Sequence, residues 1–158
     1  MKKIAVMSDN HGDPDAMDFI RELEPDADFY VHCGDSEASD IHVLDGYIAV
    51  AGNNDWYLKL PKYAKFKCED IWVLVTHGQF YGYFDREKKM AGDLKHQKCQ
   101  LLLSGHTHMP NVSMYKNLTF VNPGSTSWPR GGSKRSYAVI TVDGTNIEAE
   151  IKSLEDDD

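Results

Sequence analysis

The sequence predicts an α/β sandwich, organised as a single domain over residues 1–158. Short apolar runs alternate with polar loops and amphipathic stretches along most of the chain, and this alternation is typical of βαβ units. Short β-rich runs joined by turn-like links follow towards the end. The hydrophobic content of 41% is enough for one core of ordinary size.

A strand, a helix and a second strand are predicted at the start of the chain. Residues 3–7 form a short apolar run, and Pro14 suits the first turn of a helix that has Asp13 as its N-cap. Apolar residues then recur at helical spacing as far as Pro25. Residues 28–32 form the second strand, which a right-handed crossover should place parallel to the first.

Three further apolar strands are expected at residues 47–51, 71–75 and 100–103. The alternating residues 63–68 should pair with 71–75 through a tight turn. Residues 84–97 carry one apolar stripe among charged residues, and this pattern predicts a surface helix.

The last part of the chain favours antiparallel hairpins. Residues 111–115 and 118–121 are separated by a turn-like Lys-Asn pair, and residues 136–142 and 146–151 by Asp-Gly-Thr. The acidic stretch at about 154–158 is expected to form a disordered tail.

Composition excludes several classes of protein. The formal net charge of -8 and the lack of a Lys/Arg-rich stripe argue against an extended nucleic-acid footprint and against a membrane-surface helix. No apolar run has the length of a membrane span or of a signal sequence. Cys33, Cys68 and Cys99 are widely spaced, which suits a reducing compartment better than a disulfide framework. A cytoplasmic location is therefore expected.

In five places an oxygen or imidazole donor stands near glycine, just after an apolar run. The motifs are Asp-Asn-His-Gly at 9–12, Gly-Asp at 34–35, Gly-Asn-Asn-Asp at 52–55, Thr-His-Gly at 76–78 and Gly-His-Thr-His at 105–108. Single aspartates after strands usually only cap turns, and single histidines often only pack. The recurrence at successive strand ends favours convergence on one edge, where open α/β sheets keep their ligands.

The converging side chains form a nitrogen and oxygen donor set without thiolate. Two carboxylates and four imidazoles would overfill one ion, whereas two ions that share a bridging carboxylate would each have four or five donors plus water. Such a pair of ions acts on phosphoryl groups. The predicted metal ligands are Asp9, His11, Asp35, Asn53, His77, His106 and His108.

In this order, the five motifs resemble those of the calcineurin-like metallophosphoesterases. The small size and the Asn-Pro-Gly-Ser turn at 122–125 look most like the compact bacterial and archaeal phosphodiesterase branch. The resemblance spans about residues 3–129. It implies a four-layer αββα sandwich of two mixed sheets, and two divalent ions as cofactors. Manganese is the metal expected first, with iron, zinc or nickel as alternatives.

The resemblance also implies how the ligands divide between the ions. It places Asp9, His11 and His108 on one ion, Asn53, His77 and His106 on the other, and Asp35 between them as the bridging ligand. The expected reaction is hydrolysis of a small phosphoester, most simply a phosphodiester, by a hydroxide that bridges the two ions.

One residue departs from the pattern of many superfamily members. Where they have a histidine that protonates the leaving oxygen, this chain has Asn54, and an amide cannot deliver a proton at neutral pH. Aryl esters should therefore react much faster than alkyl esters, with Asn54 left to donate a hydrogen bond to a phosphoryl oxygen. Asn53 and Arg130 complete the predicted phosphate-binding set, although Arg130 could equally be an ordinary exposed arginine.

Other candidate residues are assigned to structure rather than chemistry. His32 is expected to be a buried strand residue satisfied by backbone groups, and His42 and His96 to lie on the surface. Asp55 is expected either to orient Asn54 or, as the preferred role, to cap the segment that follows it. Five aromatic residues are expected to pack rather than to form a substrate wall. They are Phe80, Tyr81, Tyr83, Phe84 and Trp128.

Two other functions stay open at this stage. The first is a non-catalytic, metal-binding scaffold on the same fold, and the second is a nuclease that acts on short nucleic acid. The expected partner is a small phosphoester substrate, with no membrane and no extended nucleic acid, and the chain could be a monomer or a homodimer.

Overall fold

The computed structural model describes residues 1–82 and 84–155. Ten strands form two mixed five-stranded sheets, and two α-helices accompany them, so the predicted α/β sandwich is confirmed. The strands are β1 (Lys2–Met7), β2 (Phe29–His32), β3 (Tyr47–Ala49), β4 (Tyr63–Cys68), β5 (Ile71–Thr76), β6 (Leu101–Leu103), β7 (Asn111–Tyr115), β8 (Leu118–Asn122), β9 (Ser136–Asp143) and β10 (Asn146–Ser153). The helices are α1 (Ala16–Leu23) and α2 (Arg86–Gln97).

The first sheet has the order β10-β9-β1-β2-β3. β1, β2 and β3 are parallel, with Val6 paired with Val31, so the predicted opening βαβ unit is confirmed. β9 runs antiparallel to β1 and forms the predicted hairpin with β10.

The second sheet has the order β4-β5-β6-β8-β7. The predicted hairpins of β4 with β5 and of β7 with β8 are both present. β5, β6 and β8 are parallel. Because β8 is parallel to β6, its carboxyl end lies at the same edge of the sheet as those of β5 and β6. The hairpin signals in the sequence did not predict this parallel pairing.

The layers follow from the burial of apolar side chains. A core of residues such as Val6, Val31 and Val75 fills the space between the two sheets. Met17 and Ile20 of α1 pack on the outer face of the first sheet. α2 packs its own apolar stripe on the outer face of the second sheet. The arrangement is the four-layer αββα sandwich.

Both helices begin later than the sequence suggests. α1 begins at Ala16 with Asp15 as N-cap, so the prediction of Asp13 as N-cap and Pro14 in the first turn is wrong. The Asp13 carboxylate instead accepts a hydrogen bond from the Asp15 N–H at 3.1 Å, which closes a turn before the helix. α2 begins at Arg86 rather than at residue 84.

The end of the described chain contacts the domain. The Leu154 N–H donates to the Arg135 carbonyl at 2.8 Å, and the Glu155 carboxylate pairs with the Arg135 guanidinium at 2.9 Å. The rest of the predicted tail, residues 156–158, lies outside the described residues. Within the described part of the chain, neither helix combines the length and the apolar character that crossing a bilayer requires.

Candidate metal centre

The carboxyl ends of the parallel strands of both sheets meet at one edge of the sandwich. The loops that follow β1, β2, β3, β5 and β6 bring all seven predicted ligands together there. A pocket of about 290 Å³ opens between these loops. Its lining residues are His11, Asp35, Glu37, Asn53, Asn54, His106, His108, Trp128 and Arg130. The two remaining predicted ligands, Asp9 and His77, are fully buried beside it.

Two groups of side chains have ligand atoms within 4.8 Å of one another. One group contains Asp9, His11 and His108, as the resemblance implies for one ion, and the other contains Asp9, Asp35 and His77. Asp9 therefore belongs to both groups. The assignment of Asp35 as the bridging ligand stays a prediction.

The imidazole of His77 faces three side-chain oxygens at once. Its Nε2 lies 3.1 Å from Asn53 Oδ1, 3.3 Å from Asp35 Oδ2 and 3.7 Å from Asp9 Oδ1. His106 lies alongside, with its ring edge-on to His77 at a centroid distance of 5.2 Å. Its backbone N–H donates to Asp9 Oδ2 at 3.1 Å. An electron-rich cluster of this density suits a bound cation.

In three of the histidines, Nδ1 contacts an oxygen atom of another residue. Nδ1 of His77 donates to the Cys33 carbonyl at 2.8 Å, and Nδ1 of His108 donates to the Trp128 carbonyl at 2.6 Å. Nδ1 of His11 contacts the Glu37 carboxylate at 2.9 Å. A neutral imidazole that donates from Nδ1 has a lone pair on Nε2, which is the arrangement of metal-ligating histidines.

The lone pairs so created point at one another. Nε2 of His11 and Nε2 of His108 lie 3.1 Å apart, and Nε2 of His108 lies 3.4 Å from Asp9 Oδ1. Asp9 Oδ1 is buried, and no group of the described residues forms a hydrogen bond with it. Acceptors in contact repel one another unless a cation or a proton lies between them, and an orphaned buried carboxylate oxygen is costly. The residues therefore fit a divalent metal ion.

The protonation equilibria respond to the same cluster. Burial raises the pKa of Asp35, but the hydrogen bond and charge of His77, together with the backbone N–H of Asn54, outweigh burial and bring the pKa to about 2. Burial lowers the pKa of His77, and the neighbouring carboxylates of Asp35 and Asp9 reverse that shift and raise it. Burial also raises the pKa of Asp9, but His108, His77 and the Ser8 hydroxyl outweigh burial and lower it. Both carboxylates thus stay ionised at neutral pH, as metal ligation requires.

The backbone is strained at five of the predicted ligands. Positive φ angles occur at Asp9 (57°), His11 (47°), Asp35 (56°), His106 (75°) and His108 (62°). Non-glycine residues rarely adopt this left-handed region, and such residues cluster at functional sites. The sequence placed glycines beside these positions but did not indicate that the ligands themselves would carry the unusual conformation.

Two glycines allow the loops to approach each other. A Cβ on Gly105 would collide with Ser8 Oγ and lie 2.6 Å from Asp9 Oδ2, and a Cβ on Gly52 would collide with Asp35. Gly105, next to the histidine pair, thus permits its loop to approach Asp9 closely.

Asp55 holds two ligand loops together. Its buried carboxylate accepts hydrogen bonds from the backbone N–H groups of Gly52 (2.9 Å), Ser36 (3.3 Å) and Glu37 (2.7 Å). The prediction that Asp55 caps the following segment is therefore wrong. Ser36 and Glu37 lie in a loop nearly twenty residues upstream, which no local spacing indicates.

Arg86 performs a similar task on the other side of the site. Its guanidinium donates to the carbonyls of Gly78 (2.8 Å), Gly82 (2.9 Å) and Gly105 (3.2 Å). It thus joins the loop of His77 to the loop that carries the Gly-His-Thr-His motif. The sequence analysis missed this residue, because a lone arginine in the first turn of a helix carries no motif.

The predicted phosphate-binding residues all line the pocket. Asn54 donates from its backbone N–H and its side-chain amide to the two oxygens of Asp35, at 2.9 and 3.1 Å. Arg130 is exposed, and its backbone N–H donates to the His108 carbonyl at 3.1 Å. Trp128 stacks on His11 with a ring-centroid distance of 4.5 Å and an interplanar angle of 11°.

The other histidines lie where the sequence predicts. His32 is fully buried, accepts from the Gly34 N–H at 3.0 Å and contacts Asn10 Oδ1 at 2.7 Å. His42 and His96 are exposed.

The aromatic residues divide into two groups. Tyr81 is buried against α2, as predicted. For Phe80, Phe84 and Trp128 the packing prediction is wrong, because more than half of each side chain is exposed. Tyr83 lies outside the described residues.

Known proteins share these features. Residues 1–145 match the family described as the calcineurin-like phosphoesterase superfamily domain. A probable metallophosphoesterase of Methanocaldococcus jannaschii is 32% identical over 164 residues, covering 97% of this chain and 82% of that protein. The phosphodiesterase YfcE of Escherichia coli is 27% identical, covering 94% and 92% of the two chains.

A solved structure agrees with the sequence relatives. The crystal structure of a conserved protein of Streptococcus pneumoniae, described as a predicted phosphoesterase, superposes with a TM-score of 0.88. The two chains are 28% identical, and the match covers 96% of this chain and 89% of that one. With the family match over nine tenths of its length and a ligand cluster that fits divalent ions, this chain belongs to the calcineurin-like phosphoesterase superfamily.

Proposed function

We propose that this protein is a divalent-metal-dependent phosphodiesterase that hydrolyses small phosphodiesters. The main support is the geometry around Asp9. The Nε2 atoms of His11, His77 and His108 lie close to Asp9 Oδ1, for which the described residues provide no hydrogen bond. The phosphodiesterase named among the relatives supports the choice of reaction.

The proposed ligands of two ions are the seven side chains predicted from the sequence, with manganese as the metal expected first. When bound, the ions would lower the pKa of water towards neutrality and offset the charge of the phosphoryl oxygens. The absence of thiolate from the donor set supports a metal that accepts nitrogen and oxygen ligands.

The chain itself supplies binding and orientation. Glu37 fixes the ring of His11, and the carbonyls of Cys33 and Trp128 fix the rings of His77 and His108. Arg130, exposed at the rim, is the proposed electrostatic partner of the phosphoryl oxygens. The proposed role of Asn54 is to donate a hydrogen bond to the substrate while it orients Asp35.

Buried, unpaired thiols support a reducing compartment for this activity, and we propose the cytoplasm. Each of the three cysteines is free and inaccessible, so none serves as a ligand or nucleophile in the proposed reaction.

The first test is hydrolysis of bis(p-nitrophenyl) phosphate in the presence of Mn²⁺. We expect turnover that EDTA removes, that added Mn²⁺ restores, and that Asp35→Asn lowers by at least about a hundredfold because a metal-ligating charge is lost. The matched control is Asp45→Asn, since the Asp45 side chain is 77% exposed and Asp45 belongs to none of the five motifs.

A second measurement separates an enzyme from a non-catalytic scaffold. Metal binding should raise the melting temperature of the natural protein and of Asp45→Asn. The rise should be much smaller for Asp35→Asn. A metal-dependent rise in melting temperature without hydrolysis of any phosphoester would support the scaffold and contradict the proposed reaction.

A further inference from the structure

A second pocket adjoins the metal centre and shares Asn53 with it. This side pocket has a volume of about 350 Å³ and is lined in part by Asn53, Trp56, Leu58, Leu60, Lys62 and Gln79. It differs in chemistry from the metal centre, because indole and leucine side chains form its walls. Its position beside a proposed phosphodiester site means that one ester arm of a substrate could enter it.

The most exposed aromatic side chains of the described chain lie at this same edge. The largest exposed fractions among Phe, Tyr and Trp belong to Trp56 (84%), Phe84 (80%), Phe80 (63%) and Trp128 (62%). All four lie in loops that follow the carboxyl ends of β3, β5 or β8. Exposed aromatic surface is costly in water, and its concentration around a site is typical of ring-binding surfaces.

The loop that carries Trp56 is held in place by hydrogen bonds. The Ala51 N–H donates to the Pro61 carbonyl at 2.8 Å and closes the loop at its base. The Asp55 carboxylate and the Tyr57 hydroxyl fasten it to the neighbouring segment, the latter through the Ala38 carbonyl at 2.9 Å. The side pocket is therefore largely formed before a ligand arrives, which lowers the entropic cost of binding.

Lys62 provides the cationic side chain of the side pocket. Its Nζ lies 5.4 Å from the centre of the Phe80 ring. Among residues 1–82 and 84–155, no carboxylate pairs with it within 4.0 Å, although the chain carries a net charge of -8. Asp55 also lines the side pocket, but its carboxylate accepts three backbone hydrogen bonds and forms no ion pair with Lys62. An ammonium group without an ion-pair partner, beside indole and leucine side chains, attracts a ligand that combines an aromatic ring with negative charge.

We propose that the side pocket binds one ester arm of the phosphodiester substrate, and that this arm carries an aromatic ring and an anionic group, as in a nucleotide. The ring contacts Trp56, and the anionic group faces Lys62. Asn53 lies between the side pocket and the reacting phosphate. This inference rests on the proposed phosphodiesterase function and names the substrate class that the site selects.

The kinetic test uses two diesters with the same leaving group. Methyl p-nitrophenyl phosphate and phenyl p-nitrophenyl phosphate both release p-nitrophenolate, so they differ only in the arm that remains. In the natural protein we expect the phenyl ester to have a KM about tenfold lower, the value typical of one stacking contact. Trp56→Ala should remove this difference in KM.

A matched control comes from the other end of the sandwich. Trp72 is also exposed, but it stands near the start of β5, away from the carboxyl-end loops. Trp72→Ala should keep the preference for the phenyl ester. If Trp128→Ala removes the preference and Trp56→Ala does not, the ring binds elsewhere and the proposal is overturned.

The binding test does not depend on turnover. Calorimetry with the Mn²⁺-loaded protein would compare ribose 5-phosphate, AMP and adenosine 3′,5′-bisphosphate. We expect AMP to bind about tenfold tighter than ribose 5-phosphate, and the bisphosphate tighter still. Trp56→Ala should remove the first gain and Lys62→Gln the second, while both variants bind ribose 5-phosphate as the natural protein does.

The two tests keep the two proposals apart. If phosphodiesters are hydrolysed but the three ligands bind equally, the side-pocket proposal is wrong and the phosphodiesterase stands. If no metal supports hydrolysis but the ligand preferences and their loss in the variants are observed, the side pocket is supported and the proposed reaction fails.

Discussion

Among single residues, Asn54 is the one that we expect to set the substrate preference of the proposed phosphodiesterase. Its backbone N–H and its side-chain amide both donate to Asp35 and orient that carboxylate. Neither group can transfer a proton at neutral pH. A leaving oxygen of high pKa would therefore depart without the help of a general acid, which is typically worth about 10²–10⁴-fold.

Replacing Asn54 by histidine should supply that help. We expect the natural protein to hydrolyse p-nitrophenyl esters at least about a hundredfold faster than alkyl esters, and Asn54→His to narrow this gap. The measurement is kcat/KM across a series of leaving groups of rising pKa, with Asn54→Ala as the control that removes the amide without adding an acid. A rate in the natural protein that is independent of leaving-group pKa would contradict this account.

The sequence predicted the site residues whose side chains have nitrogen or oxygen atoms suited to metal ligation. His11, His77 and Asp35 stand in recognisable motifs, so their convergence followed from the order of strand ends. The roles of Asp55 and Arg86 in joining loops could not be predicted, because each also bonds backbone groups of a loop distant in the sequence. Such contacts depend on the conformation of each loop, and the sequence pattern carries no information on that.

At the scale of elements, the loops after β1 and β6 meet at van der Waals distance. The backbone at Gly105 lies against Ser8 and Asp9, and the Gly105 carbonyl accepts from Arg86 and from the side-chain amide of Asn122. This contact sets the separation of Asp9 from the histidines of the Gly-His-Thr-His motif.

A methyl group at Gly105 should therefore displace Asp9. We expect Gly105→Ala to weaken Mn²⁺ binding by at least about tenfold and to destabilise the fold by about 1–3 kcal/mol through overpacking. Gly92→Ala is the matched control, since a Cβ there meets no atom within 4 Å and an alanine within α2 should stabilise by about 0.5–1 kcal/mol. Calorimetric titration with Mn²⁺ and urea unfolding measure the two effects. Equal Mn²⁺ affinity in the two variants would show that the contact does not position Asp9.

The strands were predicted better than the helix starts, for a physical reason. A short apolar run between turn residues, such as β6, predicts a buried strand. The start of α1 instead depends on which aspartate side chain accepts a hydrogen bond from which backbone N–H. The exposure of Trp128 also escaped prediction, because burial of an aromatic ring is the commoner outcome.

At the scale of the whole molecule, a buried histidine links stability to pH. Burial lowers the pKa of His32 to about 4, whereas an unfolded chain has a histidine pKa near 6.5. Between these values the unfolded state binds more protons than the folded state, so the free energy of unfolding must fall as the pH falls from about 6.5 to about 4.

The expected loss attributable to His32 is about 2 kcal/mol between pH 7 and pH 5. Urea unfolding of the chelated protein at the two pH values measures it, and His32→Gln, which cannot titrate there, provides the comparison. The variant should lose about 2 kcal/mol less than the natural protein over this interval. The same change with pH in both proteins would contradict the assignment.

The most direct test of the central claim is anomalous diffraction from crystals grown with Mn²⁺. We expect two anomalous peaks about 3.5–4 Å apart, both in contact with Asp35. One peak should lie among Asp9, His11 and His108, and the other among Asn53, His77 and His106. A single peak, or peaks only outside this cluster, would contradict the dinuclear centre on which the proposed function depends.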